Sequence, residues 1–134
     1  MKKKITIYTS KTCNYCDQVK KVLTENSVEF TGVDIVEYRK EWEKVISLTA
    51  TATTPTVKIN NEFVLPGRDF YNEQNLLEII SSFEKSTYSD ARRALELIKT
   101  LNYNTYTAFN RLNNTLQQIE NKLNTEENEH KSTR

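Results

Sequence analysis

The chain has 134 residues, 37% hydrophobic and 28% charged, and its 19 basic and 18 acidic side chains leave a net charge of +1. This length fits one compact domain or a small domain with an appendage. The charge balance gives no general attraction to nucleic acid, and no stretch approaches the roughly 18 apolar residues of a membrane span. Two cysteines and one histidine cannot form a disulfide framework or complete a four-ligand structural zinc site.

The first ten residues do not fit a secretion signal. Residues 1–4 are basic, but every second position of residues 5–10 is polar. A signal peptide would instead need a continuous apolar run of about 7 to 15 residues here. We therefore expect a cytoplasmic protein.

The first 84 residues predict secondary structure in the order βαβαββα. Strands are indicated by alternating or β-branched stretches, and helices by apolar residues at helical spacing. A strand–helix–strand start implies a parallel pair, and a hairpin adds antiparallel strands. The fold class is therefore α/β, with a small mixed sheet flanked by helices. The predicted strands are 4–9, 28–36, 56–60 and 62–65, and the predicted helices are 14–25, 37–50 and a third capped by Asp69 or Asn72.

A polar stretch at residues 85–89 predicts a boundary. It separates a domain of residues 1–84 from an extension of residues 85–134. The extension contains neither glycine nor proline, which permits long helices there. We predict that residues 102–107 interrupt the helix, because they are poor helix formers, and that about the last ten residues fray.

The extension also carries an apolar stripe. Its large apolar residues between Phe109 and Leu123 alternate by three and four positions, as in a coiled-coil seam. Three roles stay open for this stripe: packing on the chain's own domain, homodimer formation, or docking of another protein.

Cys13 and Cys16 lie where the first strand should pass into the first helix. Backbone N–H groups and the positive dipole end of a helix N-terminus favour a thiolate, and Lys11 adds positive charge. Cys16 is a helical neighbour of Cys13 and can attack a mixed disulfide formed on it. We therefore predict that Cys13 attacks and Cys16 resolves. A zinc half-site lacks a second ligand pair, and a structural disulfide across this short loop would constrain the unfolded chain little.

Two further segments precede a strand and a helix. Pro55 can support a cis bond that leaves the Thr54 backbone free to pair with an extended substrate, although an ordinary proline at a strand start is the alternative. In the turn of residues 66–69, glycine allows close approach of a ligand to the backbone. Asp69 is the predicted cap of the following helix, and Arg68 is either a ligand or a solvated side chain.

The segments CNYC at 13–16, TTPTV at 53–57 and PGRD at 66–69, in this order, resemble a dithiol glutaredoxin of the thioredoxin superfamily. The resemblance covers about residues 4–84. It implies a thioredoxin-like (glutaredoxin) fold, with a four-stranded mixed sheet flanked by helices, plus the C-terminal helical extension. It also implies an enzyme: a glutathione-dependent thiol–disulfide oxidoreductase that reduces glutathione mixed disulfides and protein disulfides through its dithiol, with glutathione as co-substrate.

The resemblance further implies a glutathione groove. Tyr15 takes the aromatic position beside glutathione. The Thr54 backbone would pair with the cysteinyl part, next to Pro55 as the cis-proline. The other implied contacts are Lys11 and Arg39, or Lys40 in its place, for the carboxylates, and Gly67, Arg68 and Asp69 for the γ-glutamyl end.

The chain departs from the family pattern at three positions. Asn14 replaces the usual proline, Pro66 replaces the first glycine of the turn, and Thr54 replaces valine. In related members, loss of the proline can accompany a [2Fe–2S] cluster held between two protomers. A dimeric cluster scaffold is therefore one alternative function. Two others are an electron donor to ribonucleotide reductase and a redox-inert interaction module. The retained cysteines argue against the last of these. The expected partners are glutathione and protein disulfides, with no nucleic acid, membrane or other metal.

Overall fold

The computed structural model describes residues 3–83 and 90–132, so the predicted boundary at 85–89 lies outside the described residues. The predicted order of elements is confirmed, and a further helix follows. The elements are β1 (Ile5–Thr9), α1 (Asn14–Glu25), β2 (Thr31–Asp34), α2 (Arg39–Thr49), β3 (Thr56–Ile59), β4 (Glu62–Val64), α3 (Glu73–Ser82) and α4 (Asp90–Ser132).

The four strands form one mixed sheet in the order β2-β1-β3-β4. β1 runs parallel to β2 and antiparallel to β3, and β3 and β4 form the predicted hairpin. A parallel pair joined through a helix, followed by an antiparallel hairpin, is the thioredoxin-like arrangement. The predicted fold class is confirmed.

The register of the sheet brings four chain segments to one edge. Thr9 at the end of β1 pairs with Asp34 at the end of β2. Tyr8 pairs with Thr56 at the start of β3, and Val64 at the end of β4 pairs with residue 57 of β3. The loops that follow β1, β2 and β4, and the loop that precedes β3, therefore all leave the sheet at this edge.

The sheet is covered on both faces. All five residues of the central strand β1 are buried. One core cluster joins the sheet to α1 and α3 through residues such as Val19 and Leu76. The second cluster joins Tyr8 to Trp42 of α2. Tyr8 lies in this second core and donates a hydrogen bond of 2.8 Å to Glu41 Oε1. Burial first, and then this hydrogen bond, raise the pKa of Tyr8.

The predicted start of the second strand is wrong, and a helix cap explains the difference. Ser27 after α1 has a φ of 58°. The N–H of Val28 then donates to Leu23 O at 2.9 Å, so it closes the helix instead of joining the sheet. At the other end, Asp34 Oδ1 accepts from the N–H groups of Val36 and Glu37 at 2.8 and 3.1 Å. This side-chain turn ends β2 early and delays the start of α2.

The cap of α3 is Asn72, one of the two predicted candidates. Its Oδ1 accepts from Asn75 N at 2.8 Å. Asp69, the other candidate, has a different role described below.

The predicted break in the C-terminal helix at 102–107 is wrong, since α4 runs on to Ser132. Those residues are poor helix formers, but none is a glycine or proline that would force a break. Fraying of the end stays a prediction.

Contacts divide the chain into two compact units, Met1–Thr100 and Leu101–Arg134. The first unit extends past the predicted boundary at 84, because the beginning of α4 contacts the sheet domain. The second unit consists of the rest of α4. Within the described ranges, 3–83 and 90–132, no helix is long and apolar enough to cross a membrane.

The backbone conformation of Ala50 predicts that a glycine at this position would stabilise the protein. It ends α2 with φ 57° and ψ 30°, a left-handed conformation in which a Cβ is unfavourable. We expect Ala50→Gly to raise the free energy of unfolding by about 0.5–1 kcal/mol, measured by denaturant titration. Lys44→Gly, at an exposed position inside the same helix, is the matched control and should lower it by about 0.5–1 kcal/mol. A loss of stability in both variants would contradict the prediction.

Candidate active site

Cys13 and Cys16 form a disulfide at the N-terminus of α1, at the sheet edge described above. Their Cα atoms are 5.3 Å apart. Cys13 is the cap of the helix, and its Sγ accepts a hydrogen bond from Cys16 N at 3.1 Å. The predicted position of the pair, where β1 passes into α1, is confirmed.

The two cysteines differ in exposure. Cys13 is half-buried, whereas Cys16 is completely buried in the structure. Asn14 between them is exposed and occupies the first position of the helix. An incoming disulfide therefore finds Cys13 Sγ accessible, while Cys16 reaches only its neighbour. This difference agrees with the predicted roles of attacking and resolving thiol, which stay a prediction.

Tyr15 connects the cysteine motif to the turn after β4. Its ring stacks on Phe70, with ring centroids 6.5 Å apart and an angle of 25° between the planes. Burial, and then the charge of Glu73, raise the pKa of Tyr15, so its hydroxyl stays neutral at physiological pH. The stacked pair holds one side of the motif against the first core cluster, which contains Phe70.

Pro55 lies beside this motif at the sheet edge. The peptide bond between Thr54 and Pro55 is cis, as the resemblance implied. Pro55 is buried and Thr54 is half-buried, and Thr56 Oγ1 donates to Thr53 O at 2.6 Å. The segment therefore enters β3 as an ordered turn next to the end of β1.

The two predicted carboxylate-binding cations lie on the surface at the same edge. Lys11 pairs with Glu37 at 3.8 Å, and Arg39 pairs with Glu43 at 3.3 Å. All four side chains are more than half exposed, so these ion pairs are weak and leave both cations accessible to a ligand.

Asp34 is an acidic neighbour of Lys11. Hydrogen bonds from the backbone N–H groups of Glu37 and Val36 lower the pKa of Asp34, and the charges of Lys11 and Lys20 act in the same direction. A polar depression of about 440 Å³ is lined by Asp34, Lys11 and Lys20. Its walls carry charges of both signs.

The Arg68 side chain does not face the expected groove. It is 3% exposed, and its Nη2 lies 2.8 Å from Glu96 Oε2 and 2.6 Å from Asp69 Oδ2. It also donates to Phe63 O at 3.0 Å and to Thr100 Oγ1 at 3.1 Å. The guanidinium thus joins the turn after β4 to the beginning of α4.

Asp69 is engaged in the same cluster. Its Oδ2 accepts from Leu65 N at 2.9 Å, and its Oδ1 lies 3.6 Å from Lys99 Nζ. Asp69 therefore closes the turn instead of capping α3. Gly67, which precedes it, is exposed with a φ of 82°, and its N–H donates to Phe70 O at 2.8 Å. Partners within the fold occupy the guanidinium of Arg68 and the carboxylate of Asp69, so their positions do not support the predicted ligand contacts of these side chains.

Sequence reasoning missed two residues of this region, Phe70 and Glu96. Phe70 could have been suggested by its place directly after the turn, as an apolar residue that lies outside the third helix if Asn72 is its cap. Glu96 carries no local signal, because its partner Arg68 is distant in sequence and its helix position looks like any polar one.

Part of the chain is similar to known proteins. Residues 5–64 match the Glutaredoxin family model. An uncharacterised glutaredoxin-like protein encoded in the rubredoxin operon of Clostridium pasteurianum is 28% identical over 61 residues, which are 46% of this chain and 81% of that protein. A protein of Mycobacterium tuberculosis, described only provisionally as a glutaredoxin, is 42% identical over 40% of this chain and 66% of its own length. The crystal structure of a glutaredoxin from Archaeoglobus fulgidus is 29% identical, covers 57% of this chain and 85% of its own, and has a TM-score of 0.48.

Proposed function

Since the chain contains a glutaredoxin-family domain with a disulfide-forming cysteine pair, we propose that it is a glutathione-dependent thiol–disulfide oxidoreductase. The observation that carries the proposal is the asymmetry of the pair. Cys13 is accessible at a helix N-terminus and its sulfur accepts an N–H, while Cys16 is buried behind it. This is the arrangement that an attacking and a resolving thiol require.

The first step is attack by the Cys13 thiolate on the glutathione sulfur of a mixed disulfide with a substrate protein. A new disulfide forms between Cys13 and glutathione, and the substrate leaves as a thiolate that takes up a proton. The Cys16 N–H, 3.1 Å from Cys13 Sγ, stabilises the negative charge on Cys13 before attack. The substrate is reduced by two electrons, and Cys13 becomes the oxidised partner.

Two routes then return the enzyme to its reduced form. In one, a second glutathione thiolate attacks the bound glutathione, giving oxidised glutathione and the Cys13 thiolate. In the other, the Cys16 thiolate attacks Cys13 Sγ, glutathione leaves, and the disulfide seen in the structure forms. Two further glutathione molecules reduce that disulfide and are themselves oxidised.

The charges at the sheet edge suit glutathione, which carries two carboxylates and one ammonium. Lys11 and Arg39 are accessible for the carboxylates. The Thr54 backbone, before the cis bond to Pro55, supplies a partner for the cysteinyl part. In the turn of residues 66–69, the exposed backbone at Gly67 is available to contact the γ-glutamyl end of glutathione.

The test uses the full chain with Cys16→Ser. After treatment with oxidised glutathione, intact mass spectrometry should show one glutathione on Cys13, and the variant should turn over a glutathionylated peptide. Lys11→Ala should raise the KM for that peptide about tenfold through loss of a charge-assisted contact, whereas Lys21→Ala on the exposed side of α1 should not. No adduct and no turnover would refute the proposal. Reduction by thioredoxin reductase alone would then favour the electron-donor alternative.

A further inference from the structure

An apolar face runs along the second compact unit. Along α4, the side chains of Phe109, Leu112, Leu116, Ile119 and Leu123 are between 51% and 59% exposed. They recur at alternating steps of three and four residues, the spacing that keeps a stripe facing a second, supercoiled helix. The opposite side of the helix is polar throughout, with Asn110, Arg111, Asn114, Gln117, Gln118 and Asn121.

This helix has a weak intrinsic tendency to form. Residues 102–115 contain many asparagines and threonines, which are poor helix formers. Helices in water obtain most of their stability from packing of an apolar face, and this face is exposed to solvent. Packing of this face against another apolar surface would therefore stabilise the segment.

We propose that the partner is a second copy of this chain, and that the two helices form a parallel coiled coil in register. The three–four spacing fixes Phe109, Leu116 and Leu123 as a positions, and Leu112 and Ile119 as d positions. Asn102 occupies an a position one heptad earlier. A single asparagine at an a position pairs with its own copy across a parallel dimer and disfavours other registers and strand numbers.

Charge complementarity supports the parallel orientation. Lys122 is at a g position, and Glu127 is at the e position of the following heptad; both are exposed. In a parallel, in-register dimer these two positions face each other across the seam, once on each side. In an antiparallel pair, g positions face g positions and e positions face e positions, so this pairing of opposite charges would be lost.

The first experiment measures the mass of the reduced full-length chain by sedimentation equilibrium over a range of concentrations. The wild type should be a dimer, and Leu116→Asp should weaken association at least a hundredfold. Asn121→Asp, which places the same charge on the opposite side of the helix, should remain a dimer. The near-ultraviolet circular dichroism of the buried Trp42 monitors that the first unit stays folded in each variant.

The second experiment tests the orientation by charge exchange. Lys122→Glu and Glu127→Lys should each weaken association about tenfold or less, and the double exchange should restore it. Failure of the double exchange to restore association would overturn the parallel arrangement. A monomeric wild type would overturn self-association, and an unchanged dimer mass for Leu116→Asp would overturn this stripe as the interface. Either result would leave the other two roles of the stripe, packing on the chain's own domain or docking of another protein. A mass above that of a dimer would overturn the two-stranded assembly.

Discussion

Cys13→Ser is expected to reduce kcat/KM for a glutathionylated peptide on the order of a thousandfold or more, because it removes the only accessible sulfur of the pair. Cys16→Ser should retain this activity within about tenfold, since a second glutathione can resolve the mixed disulfide without it. The rate is measured as formation of oxidised glutathione, coupled to glutathione reductase.

The same two variants should behave alike on a different substrate. Reduction of a protein disulfide through the dithiol route needs Cys16 to release the mixed disulfide from Cys13, so both variants should lose it. Serine is nearly isosteric with cysteine, and the thermal unfolding of each variant in the reduced state provides the control for folding. Equal loss of both activities in the two variants would contradict the assigned roles, because Cys16 would then be required for the first attack.

The features of the site that sequence reasoning could predict are those encoded locally. The bounds of α1, 14–25, followed from apolar residues at helical spacing, and the structure confirms them and shows Cys13 as the N-terminal cap. The hairpin between β3 and β4 followed from two adjacent strand patterns, at 56–60 and 62–65, and Asn60 adopts a φ of 55° in the turn that joins them. In each case neighbouring residues contain the whole physical cause of the structure.

The features that could not be predicted depend on partners distant in sequence. The polar alternation in β1 gives no sign that Tyr8 is buried, because α2 supplies its partner Glu41. From the sequence, Arg68 was compatible both with a ligand contact and with a solvated side chain. Its partner Glu96 lies on α4, far away in sequence, so the buried ion pair could not be predicted. The seam of α4 was visible as a pattern, but a pattern alone does not show which surface covers it.

Glu96→Ala is expected to lower the free energy of unfolding by about 3 kcal/mol, since it leaves a buried guanidinium without one of its two carboxylates. The Glu96 side chain is 0% exposed and that of Arg68 is 3% exposed. Asp69 remains beside Arg68 at 2.6 Å, which keeps the loss toward the lower end of the usual range for a broken buried pair. Denaturant titration gives the value, and the exposed Glu78→Ala on α3, the matched control, should change it by less than about 0.5 kcal/mol.

Arg68→Met is expected to cost more, about 3–5 kcal/mol. It removes four hydrogen-bond partners at once and leaves Glu96 and Asp69 with Lys99 as their shared cation, at 3.5 and 3.6 Å. Glu96 Oε1 makes no hydrogen bond among the described residues and has only the longer ion pair with Lys99, so part of the desolvation cost of the wild-type pair is not recovered. An apolar replacement of both side chains removes that cost together with the attraction.

The combination Arg68→Met with Glu96→Leu separates the two contributions. We expect it to recover at least half of the loss caused by Arg68→Met, because the fully buried carboxylate is then gone and the remaining one, Asp69, still has Lys99 at 3.6 Å. The non-additivity of the double-mutant cycle measures how strongly the two side chains act as a pair. Additive losses would mean that they stabilise the domain independently. Strong coupling would mean that a single buried ion pair attaches the first turns of α4 to the turn that Tyr15 and Phe70 connect to the cysteines.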